Sequence, residues 1–238
     1  MRSKYVLVLI LMISVFMLQA SFIPALAQQP AKGSGATTKP SANDAKSWYD
    51  KGATLLSQGK YDEALKAFDQ AIALKPDYAD AWYSKGVTLG KLGRTDESLK
   101  AYEKTVTIKP DYAKAWLNKG ATLGQLGRYE EAIKDFDKAA TVKPDYVEAW
   151  FNKGFTLYKL GRYEDATHSF YNALAIKPDY ANAWYTMACC FSLMKNKAKA
   201  LESLDNAVKL DAAYKRDAKS DADLKWLWNH PDFKKLVQ

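Results

Sequence analysis

From residue 45 onward the apolar positions follow one pattern, and the pattern recurs. Trp48, Gly52 and Leu55 share one face by the i, i+4, i+7 spacing, which predicts a short amphipathic helix. Gly59 lies where that helix would end, and glycine tolerates the left-handed conformation found there. A second apolar face follows, made of Ala64, Leu65, Phe68, Ala71 and Ile72. It opens with Asp62-Glu63, whose charge suits the positive end of a helix dipole. It stops at Pro76, which cannot continue a helix. Lys66, four residues after Asp62 and three after Glu63, marks the solvated face. Two helices this short cannot bury their apolar faces alone.

The same unit returns without a slip. Trp48, Trp82, Trp116, Trp150 and Trp184 stand 34 residues apart. Lys-Pro-Asp-Tyr recurs at 75–78, 109–112, 143–146 and 177–180. Gly52, Gly86, Gly120 and Gly154 each follow their tryptophan by four residues, and Gly59, Gly93, Gly127 and Gly161 by eleven. A single globular core has no reason to keep such a period, whereas stacked copies of one helix pair do. Five units are predicted, 45–78, 79–112, 113–146, 147–180 and 181–214. Small residues mark close helix approach, as at Gly52, Ala64 and Ala71 and again at Gly120, Ala132 and Ala139. The tryptophans are expected to form a buried spine.

These residues resemble the tetratricopeptide repeat (TPR) family, whose pattern is W-x2-L-G-x2-Y, then A-x3-F, then P. Here it reads Trp48-x2-Lys51-Gly52-x2-Leu55, then Ala64-x3-Phe68, then Pro76. The chain departs in carrying Lys51, Lys85, Lys119 and Lys153 in place of leucine, and leucine in place of tyrosine. Unit two has Ser98 and Thr105 at small sites, and unit five has Ala188 for glycine, Leu204 for phenylalanine and no proline. The resemblance implies an all-α fold, a right-handed α-solenoid of five TPR-like helix-turn-helix repeats closed by a C-terminal capping helix. It also implies that the first helices line the concave face.

The two ends leave the period. Residues 1–27 read as a secretory signal: Arg2 and Lys4, an apolar stretch from Tyr5 to Leu18, and Ala25-Leu26-Ala27 before Gln28. The competing reading is an uncleaved membrane anchor. Either one places the repeats outside the cytoplasm, as a secreted or periplasmic protein or on the outer face of the cell membrane. Residues 28–44 are rich in Gly, Pro, Ser and Thr and read as a flexible linker, with Asn43 or Asp44 placed to cap the first helix. In 215–238, Asp223 to Trp228 reads as an amphipathic helix, and Asn229-His230-Pro231 starts a short last helix with Phe233, Leu236 and Val237 inward. A cap is expected there, because an uncapped solenoid end exposes apolar surface.

Charge and reactive residues narrow the function classes. The net charge is +8, but no repeat carries more than +1 and signs alternate along the chain. There is no basic stripe of the kind that phosphate tracking needs, so no nucleic-acid partner is expected. The lysines before each glycine are expected to lay their stems on apolar neighbours with the ammonium in water. The alternative is a column that matches an anionic envelope polymer. Cys189 and Cys190, the two cysteines, sit mid-helix at small-residue sites and read as buried core. His168 falls in the column of Lys66, Lys100 and Lys134 and His230 in the cap turn. No catalytic, cofactor or metal set is visible, so no enzyme activity is expected.

Function should then live beside the Trp face, on the exposed side of the first helices. That stripe reads Tyr49, Ala53 and Leu56; Tyr83, Val87 and Gly90; Leu117, Ala121 and Gly124; Phe151, Phe155 and Tyr158; Tyr185, Cys189 and Ser192. It predicts a ring-lined channel that narrows at Phe155 and Tyr158. Asn118 and Asn152 lie beside it and suit an extended backbone. Asp80, Lys114 and Glu148 alternate along the rim and would fix register. The competing reading is that the rings pack between repeats and leave no open groove. The expected function is a scaffold that binds a protein or extended peptide there, with self-assembly or polymer binding as alternatives.

Overall fold

The computed structural model describes residues 45–238; the expected signal segment, the linker and the proposed caps Asn43 and Asp44 lie outside the described residues. Helices account for every regular element among them. Each repeat is a first helix of 13 residues and a second of 14. In chain order these are α1 (Ala45–Ser57) and α2 (Tyr61–Leu74), α3 (Ala79–Lys91) and α4 (Thr95–Ile108), α5 (Ala113–Gln125) and α6 (Tyr129–Val142). Then come α7 (Val147–Lys159) and α8 (Tyr163–Ile176), α9 (Ala181–Leu193) and α10 (Lys197–Leu210). The tail follows as α11 (Ala213–Ala218), a 3₁₀ helix (Ala222–Leu227) and α12 (Pro231–Val237).

Local chemistry sets these boundaries. Gly59, Gly93, Gly127 and Gly161 take φ between +74° and +76° at the end of each first helix, the left-handed region that glycine enters without a Cβ penalty. In unit five the same register holds Lys195 at φ +61°, which costs on the order of 1 kcal/mol. Arg94, Arg128 and Arg162 stand just before their second helices and bind the acidic residue three positions on, Glu97, Glu131 and Asp165.

Within a unit the two helices meet at the ring-against-glycine contact. A Cβ added to Gly120 would lie 2.8 Å from the Phe136 ring and 3.1 Å from the Ala132 carbonyl. At Gly154 the corresponding distances are 2.8 Å to Phe170 and 3.1 Å to Ala166. Gly52 faces Phe68 and Gly86 faces Tyr102 in the same way. Unit five changes both partners at once: Ala188 has its Cβ, and Leu204 supplies a slimmer side chain, both fully buried. The departures at small sites in unit two are also satisfied. Ser98 Oγ donates to the Gly86 carbonyl at 2.7 Å, and Thr105 Oγ1 to the Ala101 carbonyl at 2.9 Å.

Between units the first helices make direct contact with one another, as α1 does with α3, α5 with α7, and α7 with α9. The second helices instead pack mainly on the first helices of the next unit. This tighter inner row gives the concave face to the first helices. The tryptophans do not form a buried spine. All five are partly buried, those of units two to five packed against the core, and in these four units the indole N–H reaches outward to the loop before it. Trp82, Trp116, Trp150 and Trp184 donate to the carbonyls of Pro76, Pro110, Pro144 and Pro178 at 2.7–3.0 Å. The fully buried rings are Phe68 and Phe170 instead.

The lysine column differs from the expectation as well. The Lys51, Lys85, Lys119 and Lys153 ammoniums lie 4.8–5.6 Å over the ring of the tryptophan three residues earlier. Lys85 and Lys153 also pair with Asp69 and Asp137 at 2.6 Å. Lys119 turns to Asp135, at 3.1 Å from Oδ1 and 2.9 Å from Oδ2. Asp135 is buried, and that burial pushes its carboxyl above the usual carboxylate range despite the lysine.

The glycine–ring contact makes a direct prediction. Gly154→Ala should cost about 1–3 kcal/mol by overpacking. Adding Phe170→Leu, which reproduces the unit-five pair, should recover part of that loss. Urea unfolding of the two single variants and the double variant measures the coupling; additive costs would show that the two sites do not share one gap.

Candidate functional site

The concave face is built on aromatic residues clamped between units. Tyr49 sits between Phe68 of its own second helix, at 5.9 Å, and Tyr78 of the next loop, at 5.1 Å. Tyr83 lies between Tyr102 and Tyr112 at 5.9 and 5.0 Å, and Phe151 between Phe170 and Tyr180 at 5.7 and 4.8 Å. The Lys-Pro-Asp-Tyr loop therefore has a packing role: its tyrosine closes the ring sandwich, with its own lysine over the outer face at 4.9–5.3 Å. Tyr214 continues the ladder beyond the last such loop, stacked on Tyr185 at 4.5 Å.

The predicted groove residues divide accordingly. Leu117 and Phe151 are 8% and 7% exposed and belong to the core. Tyr49, Tyr83, Asn118, Asn152, Phe155, Tyr158 and Tyr185 keep part of their surface. Asn118 Nδ2 donates to the Tyr83 hydroxyl at 3.0 Å, linking two successive first helices. Phe155 stacks between Phe151 and Tyr158 at 6.2 and 6.0 Å, and the Lys159 ammonium lies 5.1 Å over its ring. On the rim, Asp80 accepts from the Tyr112 hydroxyl at 2.9 Å. Packing thus takes the buried edge of the ring column and leaves the neighbouring residues open.

At the far end the chain covers its own face. The 3₁₀ helix crosses α9, and Asp221 and Asp223 at its start meet the concave side chains of units four and five. Tyr158 donates to the Asp223 carboxylate, and Tyr185 to Asp221 at 2.8 Å. Ser192 Oγ donates to the Asp223 carbonyl and accepts from Trp226 Nε1 at 2.7 Å. Cys189 and Ser192, predicted to border the channel, are buried beneath this segment. The Asp223–Trp228 stretch, expected as an amphipathic helix, lies in the six-residue 3₁₀ helix Ala222–Leu227, about two turns long, and Asp221 caps it from an extended backbone at 3.0 Å to the Asp223 N–H. Leu224 and Leu227 pin it to the core. The signal that sequence reading missed was the Asp221-x-Asp223 spacing, which puts two acceptors beside two tyrosines of the repeat columns.

The Cys189 thiol and the Asp221 and Asp223 carboxylates gather within 4.8 Å of one another. The thiol lies 3.6 Å from Asp221, and burial raises its pKa, so it is a protonated donor there. Burial also raises the carboxyl of Asp223, opposed by the Tyr158 bond. His168 is exposed. His230 caps α12, its Nδ1 accepting from the Asp232 N–H at 3.3 Å. Among the described residues no helix is long and apolar enough to cross a membrane.

Helix pairs of constant length, a concave row of first helices and a cap define an α-solenoid repeat protein. Models of the tetratricopeptide repeat match residues 49–113, 101–134, 147–180 and 181–214, and a TPR repeat model matches 122–161. The chain belongs to the tetratricopeptide repeat family. None of the curated proteins matches it. Among solved structures, YrrB, a TPR protein with an unusual peptide-binding site, is 24% identical over 75% of this chain and 93% of its own, with a TM-score of 0.67. MamA AMB-1 is 26% identical over 70% of this chain and 98% of its own, with a TM-score of 0.63. MamA 41-end from Desulfovibrio magneticus RS-1 is 18% identical, covers 71% and 96%, and has a TM-score of 0.66.

Tyr158→Phe removes a donor from a half-buried carboxylate. It should cost about 1–3 kcal/mol and raise hydrogen exchange across residues 222–227 ahead of the repeats. Unchanged exchange there would show that the bond does not hold the segment.

Proposed function

We propose that the protein is a non-catalytic scaffold that holds an extended polypeptide on the concave first-helix face, across units one to four. The observation that carries this reading is the C-terminal segment. It lies on that face in units four and five, held by side chains that stand in the first-helix columns. The Tyr185 column continues through the open units as Tyr83 and Tyr49, and Asn118, Asn152 and Phe155 stand in the neighbouring columns of the same helices with part of their surface open. The peptide-binding site of YrrB, on the same fold, is in keeping with this use. Binding of an anionic polymer is disfavoured, because Lys85, Lys119 and Lys153 already neutralise Asp69, Asp135 and Asp137. The rim residues Asp80, Lys114 and Glu148 alternate in sign, which suits a protein partner better than an anionic polymer.

The test is a titration of extended peptides against the wild-type chain and an Asn152→Ala/Phe155→Ala variant. Phe155 also stacks on Phe151 and Tyr158, so the variant should melt lower than the wild type, and the titration is run well below its melting midpoint. Peptide affinity should fall at least about tenfold, equivalent to about 1.4 kcal/mol. Full retention of affinity would remove the groove as the binding site.

We also propose that the repeats work outside the cytoplasm, on the strength of the charged start, apolar stretch and Ala25-Leu26-Ala27 sequence. N-terminal sequencing of the protein recovered from its envelope should begin at Gln28. An intact Met1 on membrane-bound protein would favour the anchor, and an intact Met1 on cytosolic protein would defeat the proposal.

A further inference from the structure

The covered end of the concave face displays the chemistry that the face accepts. Tyr185 donates a hydrogen bond from its hydroxyl to the Asp221 carboxylate, and its ring is set by stacking on Tyr214 at 4.5 Å and 22°. Three units earlier, in the same register, the Tyr83 ring is set by stacking on Tyr112 at 5.0 Å and 25°. Equivalent clamps aim equivalent hydroxyls. Yet among the described residues no carboxylate meets the Tyr83 hydroxyl. Its oxygen instead accepts from Asn118 Nδ2 at 3.0 Å. Among the described residues the Tyr83 O–H then has no acceptor of its own. Burial raises its pKa to about 12, so it remains a donor throughout the physiological range.

A second polar group is left over in unit four. Asn152 stands in the register of Asn118, but the counterpart of Tyr83 beside it is Leu117, which has no hydroxyl to accept a hydrogen bond from the amide. Among the described residues the Asn152 carboxamide makes no side-chain hydrogen bond. A carboxamide offers both a donor and an acceptor, which is what one peptide unit of an extended backbone needs. The floor beside these groups is low. Gly90 and Gly124 share the column of Ser192, on which the Asp223 carbonyl rests. A Cβ at Gly124 would meet nothing within 4 Å, so internal packing does not require that glycine. Its absence leaves space for a backbone to lie against the helix.

Building on the scaffold reading above, we propose that the open half of the concave face takes an extended acidic segment of a partner protein. A partner carboxylate accepts a hydrogen bond from the Tyr83 hydroxyl, as Asp221 accepts one from Tyr185, and the partner backbone pairs with the Asn152 carboxamide. A hydroxyl donor gains most from a charged acceptor. A lysine or arginine at that point would set donor against donor.

The probe is a fluorescent peptide with the sequence of residues 220–224, Ser-Asp-Ala-Asp-Leu, which carries the Asp-x-Asp pair without its flanking lysines, titrated against the full chain by anisotropy. A second peptide has both aspartates changed to asparagine. The acidic peptide should bind at least about tenfold tighter, Tyr83→Phe should abolish that preference, and Asn152→Ala should weaken both peptides. Equal affinity of the two peptides for the wild-type chain would overturn the proposal, as would a preference that survives Tyr83→Phe. The wild-type comparison decides even if a variant fails to fold. Binding of neutral peptides that depends on Asn152 without any preference for carboxylate would sink the acidic partner and leave the scaffold standing. Absence of binding by any extended peptide would sink both.

Discussion

The structure depends on one close approach, that of a second-helix ring to a first-helix backbone lacking a side chain. At Gly52, Gly86, Gly120 and Gly154 the ring occupies the volume of the missing Cβ. The gap fixes the separation and rotation of the two helices, since interiors this densely packed do not deform smoothly. Once the rotation is fixed, the residue three before the glycine points to the clamp of rings. Tyr49, Tyr83 and Phe151 then fall between their own second-helix ring and the next loop tyrosine. The intra-unit contact thereby sets the inter-unit one, and the concave columns inherit their regularity from it.

The first-helix face is consequently divided by depth. The ring edge nearest the core is used for stacking, and hydroxyls and carboxamides remain at the surface. Polar groups in such a position are satisfied by water, by a neighbour or by a partner. Tyr158 and Tyr185 find carboxylates within the chain, Tyr112 finds Asp80, and Tyr83 finds only an amide that donates to it. The differences between units, rather than their shared scaffold, distinguish a covered end from an open one.

Much of this was legible in the sequence because it is periodic. The helix lengths, the left-handed glycine turns and the small-residue contacts all follow from spacing alone. What was not legible depends on helix rotation and on the tail. The tryptophans keep a strict period and so read as a core spine, but periodicity reports equivalence, not depth. Their indole N–H groups require an acceptor, and the proline carbonyls outside the helices supply it. Ala188 and Leu204 read as two separate departures from the family pattern, whereas together they refill one gap with a different pair of shapes. The groove residues were read as one stripe, but Leu117 and Phe151 are buried while the others keep part of their surface, a difference of depth that spacing does not resolve.

The tail shows why the last unit differs in kind. A solenoid end must cover apolar surface, and Leu224, Leu227, Phe233 and Val237 do that. A cap built only for burial would sit on the open end of unit five. This one also crosses α9 and sets two carboxylates against tyrosines of the concave columns, at the cost of partly burying charge. Asp223 carries that cost in its raised pKa, and the Tyr158 hydroxyl offsets part of it. Burial of apolar area does not require this arrangement. Its effect is to cover the first-helix face where Tyr158 and Tyr185 stand.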